Sequence, residues 1–228
     1  MAWARSYLSD MIRTQDDLDQ ALAALVAADP QLEPVARRAG PLPLRAMPTG
    51  LRGFAATVIG QQVSRASAAA IFARFEREVD LDDPASILRA DELAFRRAGL
   101  SVAKHRTMLA IAEAIVGGRL DFHRISGSPA EAAVAEMTAA RGIGRWTAES
   151  YLLFSLGHRD VFPAGDLALQ VAVAEALGHE SRLREKPLLA LSERWRPARA
   201  VAARLFWAYY AALTRRDAVI AAPVQQGR

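Results

Sequence analysis

Cysteine is absent from these 228 residues. That excludes disulfides, thiolate zinc sites, cysteine nucleophiles and any iron–sulfur cluster held by the usual four cysteines. Lysine is almost absent as well: among 29 basic residues only Lys104 and Lys186 are lysines, and the rest are arginine. No run of about 18 uncharged apolar residues occurs, so no membrane span is expected. The opening Met1-Ala2-Trp3-Ala4-Arg5 lacks the apolar core of a signal peptide, and a cytosolic protein is expected. Convincing alternation of apolar and polar residues is missing throughout, so strands are not expected. The four histidines, His105, His123, His158 and His179, show no metal-ligand spacing and are expected to be surface or structural residues.

What is present is a chain long enough to bury a full core, as one large domain or two small ones. Apolar residues make up 52% and the mean hydropathy lies near zero, as in a soluble globular protein. The net charge of +4 is compatible with a nucleic-acid partner without requiring one. An Arg- and Ala-rich composition also reflects the host genome, which weakens the charge argument.

Periodicity, caps and breakers predict about ten helices and an all-α fold. Thr14 caps a helix through Ala28, with Asp16 and Asp17 in its first turn and Leu18, Leu22 and Leu25 at helical spacing. Residues 29–50 hold five prolines and two glycines and are predicted to be an irregular connection. Its Arg37, Arg38 and Arg45 suit either a solvated surface or a DNA-facing edge. Residues 51–79 read as two helices meeting near Gly60 to Ser64. Gln61 and Gln62 lie at that junction, and amides inside a fold need partners. They either bridge helices, the commoner arrangement, or point into a site. Asp83-Pro84 starts a short helix. Asp91 to Arg97 forms another, ended by Gly99, and Ser101 starts a longer one through Val116. Lys104 reads as a phosphate contact or a structural pair rather than a catalyst.

The chain is organised around the stretch from Met137 to Gln170. Ser128, Pro129 and Glu131 provide a start signal for a helix carrying Val134 and Met137 on its apolar face. Gly142 allows the left-handed backbone that ends it. Gly144 strips the side chain from the start of a second helix, Trp146 to Leu156, leaving amides that suit a phosphate. Arg145 adds a cation. A tight turn between two core helices would use the same Gly-x-Gly. Further on, Asp166 follows Phe162-Pro163-Ala164-Gly165 and suits an N-cap for the helix Leu167 to Leu177. If the chain folds back compactly, its carboxylate lands near Trp146. Ser192 to Arg199 leads into a last helix through Leu213, with Pro197 in its first turn. Phe206, Trp207, Tyr209 and Tyr210 are expected mainly in the core. Ala222 to Arg228 reads as a frayed tail.

Several separated segments resemble one family. The string Arg-Gly-Ile-Gly-Arg-Trp-Thr-Ala is similar to the helix-hairpin-helix of the base-excision DNA glycosylases. The Gln61-Gln62-Val63-Ser64 loop, the phrase from Ala98 to Arg106, and Phe-Pro-Ala-Gly-Asp with Trp195-Arg-Pro-Ala-Arg extend the likeness over residues 45–213. The nearest resemblance is to the DNA-3-methyladenine glycosylase II family, in a compact form. Some members carry an N-terminal β-domain, and the stretch ahead of Leu51 is expected to be too short for one.

The resemblance implies two helical subdomains, residues 1–50 with 165–228 and residues 51–164, with a cleft between them and the hairpin at about 129–156. It implies a monomer acting on double-stranded DNA with alkylated bases, at the nucleoid, with no membrane partner and no catalytic cofactor. Asp166 takes the catalytic position, Trp146 and Trp207 take base-pocket positions, and Gln62 takes that of the wedge. Gly142, Gly144, Arg145 and Thr147 would bind phosphate. The backbone carbonyls of Thr138, Ala140 and Ile143 would hold a structural Na+ or K+. A pocket tyrosine of related enzymes is replaced by Ser150, which implies a wider pocket and a broader lesion range. The hairpin position of the Schiff-base lysine in bifunctional relatives holds Trp146, which implies base release without strand cleavage. Two other readings stay open: a helix-hairpin-helix protein that binds DNA without chemistry, and a glycosylase for oxidised or mismatched bases.

Overall fold

The structure, a computed structural model, describes residues 11–214. The predicted C-terminal tail and the opening residues lie outside that range. Among the described residues there are thirteen α-helices and two short 3-10 turns, and the only β feature is one isolated bridge, Met11 to His158. The all-α expectation is met. The chain divides into two compact units: residues 45–156 form one, and residues 11–44 with 157–214 form the other. The boundaries fall at 44/45 and 156/157, not at 50/51 and 164/165. The Met47 amide bonds the Phe154 carbonyl at 2.9 Å, which ties the segment before the first long apolar helix to its own unit. Likewise the Gly157 carbonyl accepts the Ile12 amide at 2.7 Å, and it belongs with the terminal segments.

The 45–156 unit is built on α3 (Gly50–Ile59); α1 and α2 belong to the other unit. Helix α3 is buried on nearly every side, as its largely apolar sequence, broken only by Arg52 and Thr57, dictates. Around it lie α4 (Arg65–Glu78), α7 (Val102–Val116), α8 (Phe122–Ser126) and α10 (Arg145–Phe154). Phe54, Phe122 and Tyr151 meet ring to ring with centroids 5.2–6.0 Å apart, joining α3, α8 and α10. The Tyr151 hydroxyl accepts the Gly50 amide at 2.9 Å, and burial pushes its pKa above the usual tyrosine range. Helix α5 (Pro84–Arg89) packs on α7, and α6 (Glu92–Ala98) packs on α4.

In the other unit α13 (Arg199–Thr214) is central, packed by α1 (Gln15–Ala28), α2 (Glu33–Ala39) and α11 (Leu167–Ala176). Thr14 caps α1 in a reciprocal box with Asp17, which stands at the usual N3 position in place of Glu or Gln. Trp195 sits between Phe162 and Phe206 at 5.5 and 5.0 Å and donates its indole N–H to Asp29 at 3.0 Å. Arg199 anchors the start of α13 on Asp160 at 2.8 Å and Glu193 at 2.7 Å.

Four local expectations are corrected. Residues 29–50 are not irregular throughout: they contain the turn Pro30–Leu32 and helix α2, because a proline in the first turn does not break a helix. Helix α9 (Ala130–Ala139) has Pro129 as its N-cap and no side-chain cap; the Ser128 hydroxyl donates instead to the Arg124 carbonyl, and Glu131 pairs with Arg145. Helix α9 ends at Ala139 with Ala140 extended, so the left-handed Gly142 lies in the following turn, not at the helix end. Pro197 precedes α13, joined by a cis bond to Arg196, and is not in its first turn. Two helices escaped notice altogether, α8 and α12 (Glu185–Ser192).

Candidate active site

The hairpin is α9, the turn 140–144 and α10, with the two helices packed together. Gly142 has φ +89°, and a Cβ there would lie 2.9 Å from the Thr107 hydroxyl. Both facts require glycine. Ile143 is buried as the plug of the turn, and its amide bonds the Ala140 carbonyl at 3.2 Å. Gly144 is the N-cap of α10 and no side chain caps the helix. A Cβ at Gly144 would meet nothing within 4 Å, so the chain is uncrowded where α10 begins, and helix N-termini are settings that accept phosphate.

The cation at this turn is committed. Arg145 donates to Glu149 at 2.8 Å and to Glu131 at 2.9 Å, and Glu149 is only 4% exposed. Arg145 therefore braces α9 against α10, and its spacing of four from Glu149 was the signal for that. Thr147 is buried, and its hydroxyl accepts the Gln61 amide at 3.0 Å. Ser150 is buried too, and its hydroxyl has no hydrogen-bond partner. Trp146 is half-buried at the second position of α10. Thr138 turns its hydroxyl back onto the Val134 carbonyl at 2.8 Å. Its own carbonyl belongs to the last turn of α9, where intrahelical partners run out. The Ala140 carbonyl keeps a second lone pair beside its bond to Ile143. Neutral carbonyl oxygens of this kind suit a hard cation.

The two glutamines divide their roles. Gln61 bridges to α10, as described. Gln62 is exposed and adopts φ +57°, the only non-glycine among the described residues with positive φ. Lys104 lies beneath this turn and donates to the Ile59 carbonyl at 2.7 Å and the Gln61 carbonyl at 2.8 Å. It is a structural pair, the second of the two roles anticipated for it.

In the other unit, Asp166 is the N-cap of α11. Its Oδ1 accepts the Leu169 amide at 3.0 Å and the Trp207 indole N–H at 3.0 Å. The loop before it is tied down by the Gln170 side chain, which donates to the Ala164 carbonyl at 2.9 Å. Asp166 is half-buried, while Trp207 is only 3% exposed. Trp207, anticipated in a base pocket, is therefore the side chain that fixes the carboxylate. The aspartate was legible from its capping context; its indole partner on α13 was not. A carboxylate with one oxygen locked by two N–H donors can stabilise positive charge or orient a water.

Among the described residues an all-helical chain with a glycine-turned hairpin, followed at the next helix by a capping, braced aspartate, is a helix-hairpin-helix protein. Residues 55–197 match the model of the HhH-GPD superfamily base excision DNA repair protein, and the chain belongs to that family. Over 198 residues it is 25% identical to the alkylbase DNA glycosidase-like protein mag2 of Schizosaccharomyces pombe, covering 84% of this chain and 93% of that one. Among solved structures it resembles the S. pombe 3-methyladenine DNA glycosylase Mag1 in complex with abasic DNA, with TM-score 0.72 and 28% identity, covering 84% of this chain and 95% of the other. It also resembles a DNA-3-methyladenine glycosidase from Bacillus halodurans, with TM-score 0.71 and 30% identity, covering 88% and 94%.

Proposed function

We propose that this protein is a monofunctional DNA glycosylase for alkylated bases. It removes the base by hydrolysis, leaves an abasic site and acts as a monomer on double-stranded DNA in the cytosol. The observation that carries the reading is Asp166, held by the Leu169 amide and the Trp207 indole in a chain of a base-excision repair family.

Chemistry dictates what the protein must do. A purine alkylated at N3 or N7 is cationic and is already a good leaving group. The base first leaves the stack. The C1′–N bond then breaks, its electron pair goes to the base nitrogen, and positive charge develops on the deoxyribose, as in glycoside hydrolysis. The Asp166 carboxyl group stabilises that charge. A water oxygen bonds C1′, and its proton passes to the carboxylate or to solvent. Trp146 offers an indole face to the cationic ring, a contact contributing about 0.5–2 kcal/mol. That helps selection, while the weakness of the damaged bond supplies the remainder. The amides after Gly144 receive a phosphate, and a monovalent cation on the Thr138, Ala140 and Ile143 carbonyls would add positive charge beside it.

The lysine positions support base release without strand cleavage. Lys104 is occupied by two backbone carbonyls, and Lys186 lies on α12 rather than in the hairpin. Ser150 in place of a tyrosine supports a lesion range beyond 3-methyladenine. The test is a panel of duplexes carrying 3-methyladenine, 7-methylguanine, oxidised and mismatched bases, scored for base release. Alkylated bases should be excised, and borohydride should trap no covalent adduct. Asp166→Asn should lower excision at least about 1,000-fold while abasic-DNA affinity is kept. Retained excision by that variant, or release only of oxidised or mismatched bases, refutes the proposal.

A further inference from the structure

The turn that carries Gln62 is held from outside its own helices. Helix α3 ends at Ile59, and its last carbonyls are left without intrahelical partners. The Lys104 ammonium, reaching over from α7, donates to the Ile59 and Gln61 carbonyls at 2.7 and 2.8 Å. A cation at the C-terminal end of a helix is favoured by the helix dipole. The adjacent Gln61 side chain is pinned to Thr147 on α10 at 3.0 Å. Gln62 itself is exposed and left-handed. A glutamine in that conformation is strained and persists only where its surroundings over-determine it. The residues just before Gln62, Ile59 and Gln61, supply that constraint through Lys104 and Thr147.

The residue type fits the task. A lysine ammonium is a compact point charge with three donors that can converge on two oxygens of one turn, whereas a guanidinium spreads its donors over a planar fork. In a chain with only two lysines among 29 basic residues, one sits here. Burial lowers the pKa of this ammonium, because desolvation penalises the charged form.

We infer that Lys104 is a positioning residue for opening the duplex: it clamps the Ile59 and Gln61 carbonyls so that Gln62 projects in the conformation that fills the space vacated by the extruded nucleotide. The inference rests on the glycosylase reading above. Lys104 touches neither the base nor the reacting atoms, so its effect is confined to the step that unstacks the lesion.

That confinement makes the test specific. Single-turnover excision of one alkylated base is measured in a fully paired duplex and in the same duplex with the lesion opposite a one-nucleotide gap, where unstacking is easier. Lys104→Met should slow excision about ten-fold from the paired duplex and stay within about two-fold of the unmodified protein on the gapped one. Gln62→Ala, at an exposed position that carries no fold risk, should show the same pattern. Thr147→Val, which removes the acceptor for Gln61, should reproduce it in weaker form. If Lys104→Met does not fold by its circular-dichroism melt, Lys104→Arg, which keeps the charge but spreads its donors over a planar fork, is measured on the same two substrates and decides the matter by the same pattern. Equal slowing on both substrates, or unchanged rates on both, overturns the inference. An unmodified protein that excises from neither substrate refutes the glycosylase reading itself and the inference with it.

Discussion

At the scale of single residues, the oxygen of Asp166 serves two structures at once. It satisfies an orphan amide at the start of α11 and accepts the indole N–H of Trp207, 41 residues further along the chain. A hydrogen bond to an ionised group contributes about 1.5–3 kcal/mol. Trp207→Phe removes that donor and keeps an aromatic ring in the core. It should lower kcat about ten-fold with abasic-DNA affinity within about two-fold. Steady-state kinetics alongside fluorescence anisotropy would show this, and an unchanged kcat would remove Trp207 from the catalytic arrangement. Arg145 shows the opposite outcome of the same physics. It looked like a phosphate cation from its place beside Gly144, yet two carboxylates claim it. Local sequence places the cation at the turn and its i,i+4 spacing points to Glu149; only the packed helices reveal Glu131 as its second partner.

At the scale of elements, α3 sets the 45–156 unit. Its apolar run predicts burial, and the burial leaves no room along one side. A Cβ on Gly53 would lie 1.7 Å from the Pro48 carbonyl oxygen and 2.7 Å from the Ser155 hydroxyl. Backbone would have to move, so Gly53→Ala should destabilise the protein by about 3 kcal/mol, read as a lower urea midpoint. A midpoint equal to that of the unmodified protein would mean that the Pro48 loop shifts freely. Several of the thirteen described helices announce themselves through caps: Thr14, Ser64, Asp83, Asp91, Ser101 and Asp166 each accept a backbone amide in the first turn that follows. The elements that escaped are short. Helix α8 has five residues, too few for any periodicity, and its Phe122 is held by the rings of Phe54 and Tyr151. Helix α2 starts among prolines that read as breakers but sit where a helix tolerates them.

At the scale of the whole molecule, the net charge is small. Among the described residues Arg37, Arg89, Arg96, Arg97 and Arg124 each pair with a carboxylate, so these five cations are neutralised locally and the excess over the full chain is only +4. Affinity for undamaged duplex should therefore fall gently with salt, with a logarithmic slope of about −3. A slope beyond about −8 would show that many more phosphates are neutralised than this charge pattern allows. Sedimentation should give a single species at 24.7 kDa, and a concentration-dependent dimer would contradict the monomer proposed above.

The order of residues by itself determined the helical content, the glycine turn of the hairpin and the cap at Asp166. Each of these is a local matter: side-chain periodicity, capping and left-handed backbone act within a turn or two of the chain. The tertiary structure alone decided the long-range partners, namely Trp207 for Asp166, Lys104 for the Gln62 turn, Thr147 for Gln61 and Glu131 for Arg145. Those bonds join groups on separate helices, and which donor reaches which acceptor depends on how the helices pack, a geometry that no local pattern in the sequence encodes.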